Sequence, residues 1–299
     1  MATPASSPSI VTGSTPSAPR RSGRRAIVAA IVAVLALIWA GYRRLPAGPA
    51  TGTDFCGPAA VLAATERSSF RVGSFNIHGG EGRDERLDLA RTAECLKTLD
   101  VVGLNEVYGR MFWESSGQAE ALGESLQMPW LFAPAEHRWG HGHFGNAALC
   151  RLPVSVWERI PLPQRYGHSC RNALLLSTHF RGRTLRLVIT HLDRSDDRER
   201  NRQFQAVSAL FLEQQEPAIL LGDLNTTGDE SLLAELLSTA GVHDPLSEIL
   251  GDKTPRRIDW LLTRGLETVD AGLIDNGASD HPCVWAELKL TRDAERPAR

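Results

Sequence analysis

Short β-type segments of this chain repeatedly end in Asn, Asp, Glu or His, and this pattern limits the fold more than any other feature. One such ending is ordinary, because Asn and Asp are common turn residues. Strand ends at one edge of a layered sheet converge on one surface, so a whole series of them predicts a functional site there. The series consists of Asn76, Asn105-Glu106, His191 with Asp193, Asp223 with Asn225, Asp259 and Asp280-His281.

Short apolar runs alternate with a few amphipathic segments, and the predicted strands outnumber the helices. Several runs are apolar on both faces, which favours a layered α/β sandwich over a barrel. Strands are predicted at Phe70–Ile77, Val101–Glu106, Asn146–Cys150, Ala173–His179, Leu185–His191, Ala218–Gly222, Ile258–Leu262 and Pro282–Leu290. Helices, with apolar residues at three- and four-residue spacing, are predicted at Arg83–Thr98, Gln118–Leu126, Asp196–Glu213 and Asp229–Thr239.

The N-terminal region has the pattern of a membrane anchor. Residues 1–25 are rich in Ser, Pro, Thr, Ala and Arg and predict a disordered basic tail. Residues 26–42 are uncharged and flanked by Arg, and as a helix of about 25 Å they predict a single transmembrane signal anchor. The greater number of Arg on the amino side predicts a cytoplasmic amino terminus. We therefore expect the rest of the chain to be exported, either periplasmic or extracellular, and secreted if the anchor is cleaved.

The remainder divides into a linker and one domain. Residues 43–69, with several Pro, Gly and Thr, predict a linker. The catalytic domain is expected over residues 70–290, followed by a disordered tail at 291–299. Seven Arg and two acids precede residue 70, which leaves 26 basic (33 minus 7) and 33 acidic (35 minus 2) side chains after it. This net charge of −7 excludes a broad polyanion-binding surface, so a nucleic-acid substrate would require cations or a local basic strip.

The polar strand ends contain the groups needed to transfer a phosphoryl group to water. Glu106, Asn76 and Asp280 offer hard oxygen ligands of the kind that Mg²⁺ and Mn²⁺ prefer. No Ser or Cys lies in a nucleophile-elbow sequence, so water is the expected nucleophile. Other groups are suited to orienting the water and stabilising the charge that develops on the phosphoryl group. They are His191, Asp223, Asn225 and the Asp259–His281 pair.

In these segments the chain resembles the endonuclease/exonuclease/phosphatase superfamily, which includes pancreatic-type deoxyribonucleases, abasic-site endonucleases, bacterial sphingomyelinases and inositol polyphosphate 5-phosphatases. The resemblance extends from Phe70 to about Leu290. It implies a four-layered α/β sandwich, two packed β-sheets flanked by helices, and an Mg²⁺- or Mn²⁺-dependent hydrolase. The matching segments are Ser74-Phe75-Asn76-Ile77, Gly103-Leu104-Asn105-Glu106-Val107, Gly145-Asn146-Ala147, Thr190-His191-Leu192-Asp193, Gly222-Asp223-Leu224-Asn225, Arg257-Ile258-Asp259-Trp260 and Ser279-Asp280-His281-Pro282.

The resemblance also implies roles for individual residues. Glu106 matches the family's main metal-binding carboxylate, with Asn76 and Asp280 close to the ion. His281 matches the histidine that contacts the scissile phosphate, and Asp259 matches the acid hydrogen-bonded to it. The other matches are a residue that positions or deprotonates water (Asp223), its phosphate-contacting neighbour (Asn225), a second phosphate-side histidine (His191), a phosphate-facing arginine (Arg171) and a phosphate-binding tyrosine (Tyr166).

Two positions depart from the family's pattern. Asn105 stands where the family usually has Gln, a change of length expected to adjust a hydrogen bond without removing the metal ligand at Glu106. His78 stands where abasic-site endonucleases carry an Asp that assists the metal. The second departure argues against membership of the abasic-site branch.

The resemblance implies hydrolysis of a phosphodiester or phosphomonoester by in-line attack of water. Nucleic acid is the first expected substrate, because nucleic acids are the commonest substrates that the resemblance implies. The alternatives are a phospholipid or sphingomyelin phosphodiesterase, which a membrane tether would hold near lipid, an inositol phosphate phosphatase, and a non-catalytic binding domain of the same fold. We expect a monomer with no protein partner.

Two further groups of residues leave alternatives open. His137, His141 and His143 are interpreted as a rim beside the site, with a metal-binding or substrate-binding loop as the alternative. Cys150 and Cys170 are the pair best placed for a disulfide if neighbouring antiparallel strands bring them together. Two buried free thiols are the favoured interpretation, because Cys is commonly a small buried apolar residue.

Overall fold

Two mixed β-sheets pack face to face in the computed structural model, which describes residues 21–41, 44–57, 67–110, 116–138, 142–165 and 169–291. The chain divides into two compact units, residues 1–42 and 43–299, and both sheets belong to the second unit. Within the described residues the first sheet has seven strands. They are β1 (Arg44–Pro46), β3 (Phe70–Asn76), β4 (Val101–Tyr108), β5 (Trp130–Arg138), β6 (Gly142–Cys150), β12 (Leu266–Ile274) and β13 (Cys283–Leu290), in the spatial order β1-β5-β6-β4-β3-β13-β12.

The second sheet has six strands within the same described ranges. They are β2 (Ala50–Gly52), β7 (Val154–Pro161), β8 (Asn172–Phe180), β9 (Arg183–His191), β10 (Ala218–Asp223) and β11 (Asp259–Arg264), in the spatial order β11-β10-β9-β8-β7-β2. The helices are α1 (Arg21–Gly41), α2 (Leu89–Leu96), α3 (Gln118–Leu126), α4 (Asp197–Glu213), α5 (Ser231–Ser238) and α6 (Pro245–Leu250).

Each sheet contains a parallel pair of strands, β3 with β4 and β9 with β10. Because parallel neighbours need a crossover connection, α2 and α4 lie between them in the chain. Asn76 is in register with Asn105, and His191 is in register with Asp223. The polar residues that end these strands are therefore brought side by side at the carboxyl end of each pair.

Apolar side chains fill the spaces between the layers. Val72 of β3 and Leu221 of β10 belong to a cluster between the two sheets. A second cluster lies between the first sheet and α2 with α3, and a third between the second sheet and α4 with α5. At Gly103 an added Cβ would lie 2.1 Å from Cδ1 of Leu221, so any side chain there would have to displace Leu221 of the facing sheet. The predicted α/β fold of two packed sheets flanked by helices is confirmed.

The predicted strands are all present, with ends shifted by up to a few residues, but three longer strands were not predicted. β5 contains Pro134 next to a shift in its register with β6. Because Pro is unusual inside a strand, the sequence pattern did not predict β5. β7 and β12 consist mostly of half-buried and exposed residues and carry charged side chains, so their alternation is weak. The helix predicted at Arg83–Thr98 begins only at Leu89, because Asp88 caps it by accepting hydrogen bonds from the Ala90 and Arg91 backbones.

The linker predicted over residues 43–69 is wrong for residues 44–57. There β1 pairs with β5 and β2 pairs with β7, each at an edge of its sheet. Ala47 is buried and its N–H donates to the Ala135 carbonyl at 2.9 Å. Strands of three residues at a sheet edge need no apolar alternation, so the sequence pattern could not reveal them.

The helix α1 contains most of the segment predicted as an anchor. Within residues 21–41 and the other described ranges, no helix reaches the length and apolar character required to cross a membrane. The anchor is therefore not confirmed. Most of the predicted basic tail, residues 1–20, and residues 292–299 of the predicted C-terminal tail lie outside the described residues.

All five cysteines are free thiols, as favoured, and the disulfide considered for Cys150 and Cys170 is absent from the described residues. The two cysteines do not lie on neighbouring strands. Cys150 ends β6 in the first sheet, and its Sγ lies 3.8 Å from Oγ1 of Thr178. Cys170 precedes β8 in the second sheet, at the opposite end of that strand from Thr178. Eight residues of extended chain, about 26 Å, separate those two ends.

Candidate active site

A cavity of about 390 Å³ opens where the polar strand ends meet. Glu106 follows the register shift in β4, His191 and Asp223 end neighbouring strands, and Asp280-His281 precede β13. The sandwich therefore brings the predicted strand ends into one site. The described lining residues are His78, Glu106, Tyr108, Glu136, Phe144, Ser169, Cys170, Arg171, His191, Arg194, Ser195, Asp223, Asp280 and His281.

Asp223 is held at the centre of the site by its neighbours in the sheet. It is in register with His191 on one side and with Asp259 on the other. Gly222 precedes it with a φ of 146°, and an added Cβ there would lie 1.8 Å from the Thr190 carbonyl oxygen. Only glycine can bring the strand so close, so Gly222 is required for the position of the carboxylate.

Asn225 fixes the other side of this carboxylate. Its N–H donates to Oδ1 of Asp223 at 2.9 Å, and its Nδ2 donates to the Leu192 carbonyl at 3.1 Å. Asn225 has a φ of 48°, as do His78 (48°) and Glu106 (56°), all of them non-glycine residues in the left-handed region. Strained backbone of this kind persists where surrounding contacts impose it, which is common at functional sites.

Asn76 links the two carboxylates nearest the cavity. Its Nδ2 donates to Oδ2 of Asp223 at 3.0 Å and to Oε1 of Glu106 at 3.3 Å. Its Oδ1 accepts a hydrogen bond from the His78 N–H at 3.1 Å. Because the amide nitrogen faces the carboxylates, this arrangement makes Asn76 a positioning group for Glu106 and leaves its predicted role as a metal ligand unsupported.

His281 and Asp259 form the predicted acid–histidine pair. Nδ1 of His281 lies 2.6 Å from Oδ2 of Asp259. Burial lowers the pKa of His281, but its hydrogen bond and charge interaction with Asp259, helped by Asp223 and Asp280, outweigh this effect and raise the pKa to about 9. Nε2 of His281 lies 4.0 Å from Oδ2 of Asp223. His281 is therefore a cation within the site, and its Nε2–H can donate a hydrogen bond to a ligand.

His191 is held in the opposite protonation state. Nη1 of Arg171 lies 3.0 Å from Nδ1 of His191, and since Arg can only donate, Nδ1 is the acceptor. The remaining proton is then on Nε2, which lies 3.5 Å from Oδ2 of Asp223 and 3.8 Å from Oε1 of Glu106. Burial, with the charges of Arg171 and His281, holds the pKa of His191 well below its usual range. His191 is a neutral hydrogen-bond donor at pH 7.

The Asp223 carboxylate has an unusual proton affinity. Burial and the nearby charge of Asp259 raise its pKa to about 7, although His281, the Asn225 N–H and the Asn76 amide act in the opposite direction. Burial also raises the pKa of Asp259, against the effect of its hydrogen bond to His281. A carboxylate that titrates near neutrality can take a proton from water at physiological pH.

The charge of the site fits a divalent cation. Five carboxylates, on Glu106, Glu136, Asp223, Asp259 and Asp280, accompany three cations, Arg171, Arg194 and His281. Three possible ligand atoms lie within 4.8 Å of one another, one each from Asp223, Asp259 and His281. However, Asp259 and His281 are already hydrogen-bonded to each other. Glu106 and Asp280, whose side chains are 28% and 51% exposed, face the cavity instead. Their oxygens suit Mg²⁺ or Mn²⁺ rather than zinc.

A buried chain of asparagines that connects the sheets behind the site was not predicted. Nδ2 of Asn105 donates to Oδ1 of Asn146 at 2.8 Å, and Nδ2 of Asn146 donates to Oδ1 of Asn172 at 2.9 Å. Asn105 also accepts from the Asp223 N–H at 2.9 Å. In the sequence, this chain of contacts is indicated by one Asn in each of three otherwise apolar segments. Which of these asparagines pair with each other across the sheets can be known only from the fold.

Some of the remaining predicted residues lie within the described part of the chain and others lie outside it. Arg171 lines the cavity, and its Nη1 lies 3.0 Å from Nδ1 of His191. Tyr166 lies outside the described residues, as does His141. His137 and His143 lie opposite each other on the β5–β6 hairpin, next to the cavity residue Phe144.

Residues 73–281 match the Endonuclease/Exonuclease/phosphatase family, and the chain belongs to this family. It has the family's phosphoesterase fold. The structural similarities below rest on low sequence identity and therefore concern the fold alone. No curated protein matches the chain in sequence.

Three solved structures illustrate this likeness. An endonuclease/exonuclease/phosphatase from Beutenbergia cavernae DSM 12333 is 20% identical with a TM-score of 0.62, over 75% of this chain and 72% of that one. D. rerio TDP2 complexed with a single-strand DNA product is 22% identical with a TM-score of 0.58, over 75% of this chain and all of that one (100%). The human Nocturnin catalytic domain with bound sulfate is 18% identical with a TM-score of 0.59, over 80% and 97%.

Proposed function

We propose that this protein is a divalent-metal-dependent phosphodiesterase that transfers a phosphoryl group to water, with nucleic acid as its first substrate class. The observation that carries the proposal is the meeting of Asp223 and the protonated His281, with 4.0 Å between Oδ2 and Nε2. The Asp223 carboxylate can accept a proton from water near pH 7, and the His281 imidazolium can donate a hydrogen bond to a phosphoryl oxygen. This pairing of functions in one cavity is what hydrolysis of a phosphoester requires.

Glu106 and Asp280 would hold Mg²⁺ or Mn²⁺, with Asn76 orienting Glu106 through its amide nitrogen. The ion would supply charge neutralisation at the phosphoryl group. The excess of carboxylates over cations in the cavity supports this assignment. A metal-free site would leave that negative charge to repel an anionic substrate.

The protein's own groups divide into one base and several donors. Asp223 accepts the proton of the attacking water, and Asn225 holds its Oδ1 so that Oδ2 remains toward the cavity. His281 donates from Nε2 to a phosphoryl oxygen, while Asp259 keeps it protonated and oriented. His191 offers a second, neutral N–H. Donors fixed before the reaction stabilise the charge that develops in its transition state.

One ground favours nucleic acid as the substrate class. D. rerio TDP2, which shares the fold, was solved with a single-strand DNA product. Within that class, the cations of this cavity, Arg171, Arg194 and His281, are local to the site, and the net charge of −7 over residues 70–299 indicates no extended basic surface. These features favour contacts at a scissile phosphate over tracking along a long duplex.

The test is hydrolysis by the full chain, with Mg²⁺ or Mn²⁺, of duplex DNA, single-stranded DNA, RNA, sphingomyelin and inositol phosphates. We expect cleavage of at least one nucleic acid and none by Glu106→Gln. Cleavage of lipid alone would overturn the substrate class and keep the phosphodiesterase chemistry. No hydrolysis of any substrate by the folded protein would overturn both.

We also propose that the domain is exported and tethered by residues 26–42. The support is the sequence alone, in which an uncharged apolar run follows a basic tail. Fractionation of cells that express the full chain tests this proposal. We expect the protein in salt-washed membranes and cleavage of its domain by protease added outside the cytoplasm. Protection from that protease in intact spheroplasts would contradict export.

A further inference from the structure

Two imidazoles face each other on the β5–β6 hairpin, outside the cluster of carboxylates. His137 and His143 are directly opposite in the register of the two strands. Nδ1 of His137 lies 3.1 Å from Nδ1 and 3.4 Å from Nε2 of His143. The ring centroids are 4.3 Å apart and the ring planes are inclined at 81°. Both ring nitrogens of His143 are therefore within reach of one nitrogen of His137.

This separation is the one that two ligands of a single metal ion require. Two Zn–N bonds of 2.0–2.1 Å at a tetrahedral angle place their nitrogens about 3.3 Å apart. Directly opposite residues of antiparallel strands also have their Cβ atoms close enough to direct both side chains to one point. The hairpin thus fixes the pair without help from a flexible loop.

The surroundings of the pair favour ligation over charge. Burial and the neighbouring charge of His137 lower the pKa of His143. Neutral imidazole is the form that binds metal. His143 is exposed and His137 is half-buried, so water can complete a coordination sphere.

We propose that His137 and His143 form a binding site for a borderline transition-metal ion such as Zn²⁺ or Cu²⁺, separate from the oxygen-rich catalytic cluster. Imidazole nitrogen suits these ions, whereas Mg²⁺ prefers the carboxylates of the cavity. The two sites therefore select different metals by ligand type. The bound ion would link β5 to β6 beside Phe144, a residue of the cavity wall.

The backbone supports this position of His143. The Gly109 N–H donates to the His143 carbonyl at 2.7 Å, and Phe144 contacts Tyr108 edge-on with 5.3 Å between ring centroids. An ion on the hairpin would therefore bind to a segment that is already held against β4. This arrangement limits the conformational entropy lost on binding.

The competing interpretation is a simple hydrogen bond between two imidazoles, and calorimetry decides between the two. The full chain is stripped with EDTA, exchanged into buffer with Mg²⁺ in excess to occupy the oxygen ligands, and titrated with Zn²⁺. The variants are His137→Gln, His143→Gln and the double substitution, which retain side-chain size and polarity. His179→Gln, at an exposed histidine of β8, is the matched control. Far-UV circular dichroism reports whether each variant folds.

We expect one equivalent of Zn²⁺ to bind to the wild type. Its affinity should fall at least about tenfold in each single variant, the scale on which even outer partners of a metal site act. The double variant should lose little more than either single one, because both ligands serve one ion. His179→Gln should bind like the wild type.

Electron paramagnetic resonance of added Cu²⁺ gives an independent measurement, which also decides if one variant fails to fold. The wild type should show hyperfine coupling to two nitrogens, and the folded single variant should show one. Zn²⁺ affinity unchanged in both single variants would overturn the proposal. The proposal would also be overturned if Glu106→Gln lost Zn²⁺ binding while the hairpin variants kept it. That result would assign the ion to the carboxylates.

Discussion

The side-chain Oδ1 of Asn105 accepts a hydrogen bond of 2.9 Å from the backbone N–H of Asp223, so a residue of the first sheet holds the central carboxylate of the second. Nδ2 of the same side chain donates to the Thr190 carbonyl at 2.9 Å and to Asn146. Asn105 is fully buried, and these bonds employ both ends of its amide. Asn105 is therefore one of the side chains that fix the distance between the sheets at the site, together with Asn76 and Asn146.

Replacement of Asn105 by Leu tests this dependence. The Asp223 N–H and the Thr190 carbonyl would lose a buried partner, so the free energy of unfolding should fall by about 2–3 kcal/mol. Turnover should fall more than substrate affinity, because Asp223 is displaced. Urea unfolding and steady-state kinetics measure the two effects. Thr263→Val is the control, since its buried Oγ1 has no hydrogen-bond partner among the described residues. Equal stability of the two variants would contradict the bridging role.

The Asp259–His281 pair predicts a pH dependence of stability in the metal-free protein. The folded pKa of His281, about 9, exceeds its ordinary value of about 6.5, so protonation of this group favours folding. The stabilisation is fully present below about pH 6.5 and is lost as pH rises through 9. The shift corresponds to stabilisation on the order of 3 kcal/mol.

Asp259→Asn should therefore destabilise the protein more at pH 7 than at pH 10, as measured by urea unfolding in EDTA. The His281 ring proton should titrate near pH 9 in NMR spectra of the wild type and at a lower pH in the variant. His243, which contacts Glu248, provides the unaffected reference in the same spectra. A His281 titration that does not move in Asp259→Asn would contradict the pairing.

The strand ends were predictable from sequence because each one marks its own position. Asn76 and Asp223 end apolar strands as that pattern indicates, whereas Glu106 lies inside β4 and His281 precedes β13. The contacts between them were not predictable. The donation from Arg171 to His191 joins residues twenty positions apart on neighbouring strands, and nothing local distinguishes it from other arginine positions.

The edges of the sheets were hidden for a different reason. β1 and β2 are three residues each and satisfy backbone hydrogen bonds of β5 and β7 without an apolar face of their own. Their stability derives from the strand beside them, so no periodicity is required. Composition alone led to the linker interpretation of this segment, which was wrong because Pro and Gly are tolerated at sheet edges as well as in linkers.

Loss of the groups at the centre of the site should abolish activity without unfolding the protein. Glu106→Gln and His281→Ala should each lower turnover by at least about a hundredfold, the scale for loss of a metal-site or charge-stabilising group. Thermal unfolding of Glu106→Gln should change little, whereas His281→Ala should stay folded but unfold at a lower temperature, because it removes the partner of the buried Asp259. The exposed Glu213 and His179 supply matched controls, Glu213→Gln and His179→Ala, which should retain activity. Near-wild-type turnover in either folded site variant would refute its assignment.

Removal of the metal ion should inactivate the enzyme reversibly. The proposed ligands are carboxylate oxygens, so EDTA should abolish hydrolysis, and Mg²⁺ or Mn²⁺ should restore it in proportion to the ion added. The Glu106→Gln variant should require more ion for any residual rate. Full activity in metal-free buffer, verified by elemental analysis, would rule out the mechanism.

The cysteines give a prediction that does not depend on activity. Cys95, Cys150 and Cys283 are buried, and burial raises the pKa of the Cys95 thiol to about 11 and of the Cys150 thiol to about 12. Thiols held so far above their usual pKa stay protonated and react slowly. In the native protein they should resist alkylation, whereas the exposed Cys56 should react at once.

After denaturation without reductant, all five thiols should become reactive, because Cys150 and Cys170 lie in different sheets. Mass spectrometry of the alkylated peptides counts them. The control is the same protein reduced before denaturation, which must give the same count. Three thiols with a cross-linked peptide that joins Cys150 and Cys170 would contradict the strand arrangement, since no disulfide can form between positions that stand at opposite ends of β8.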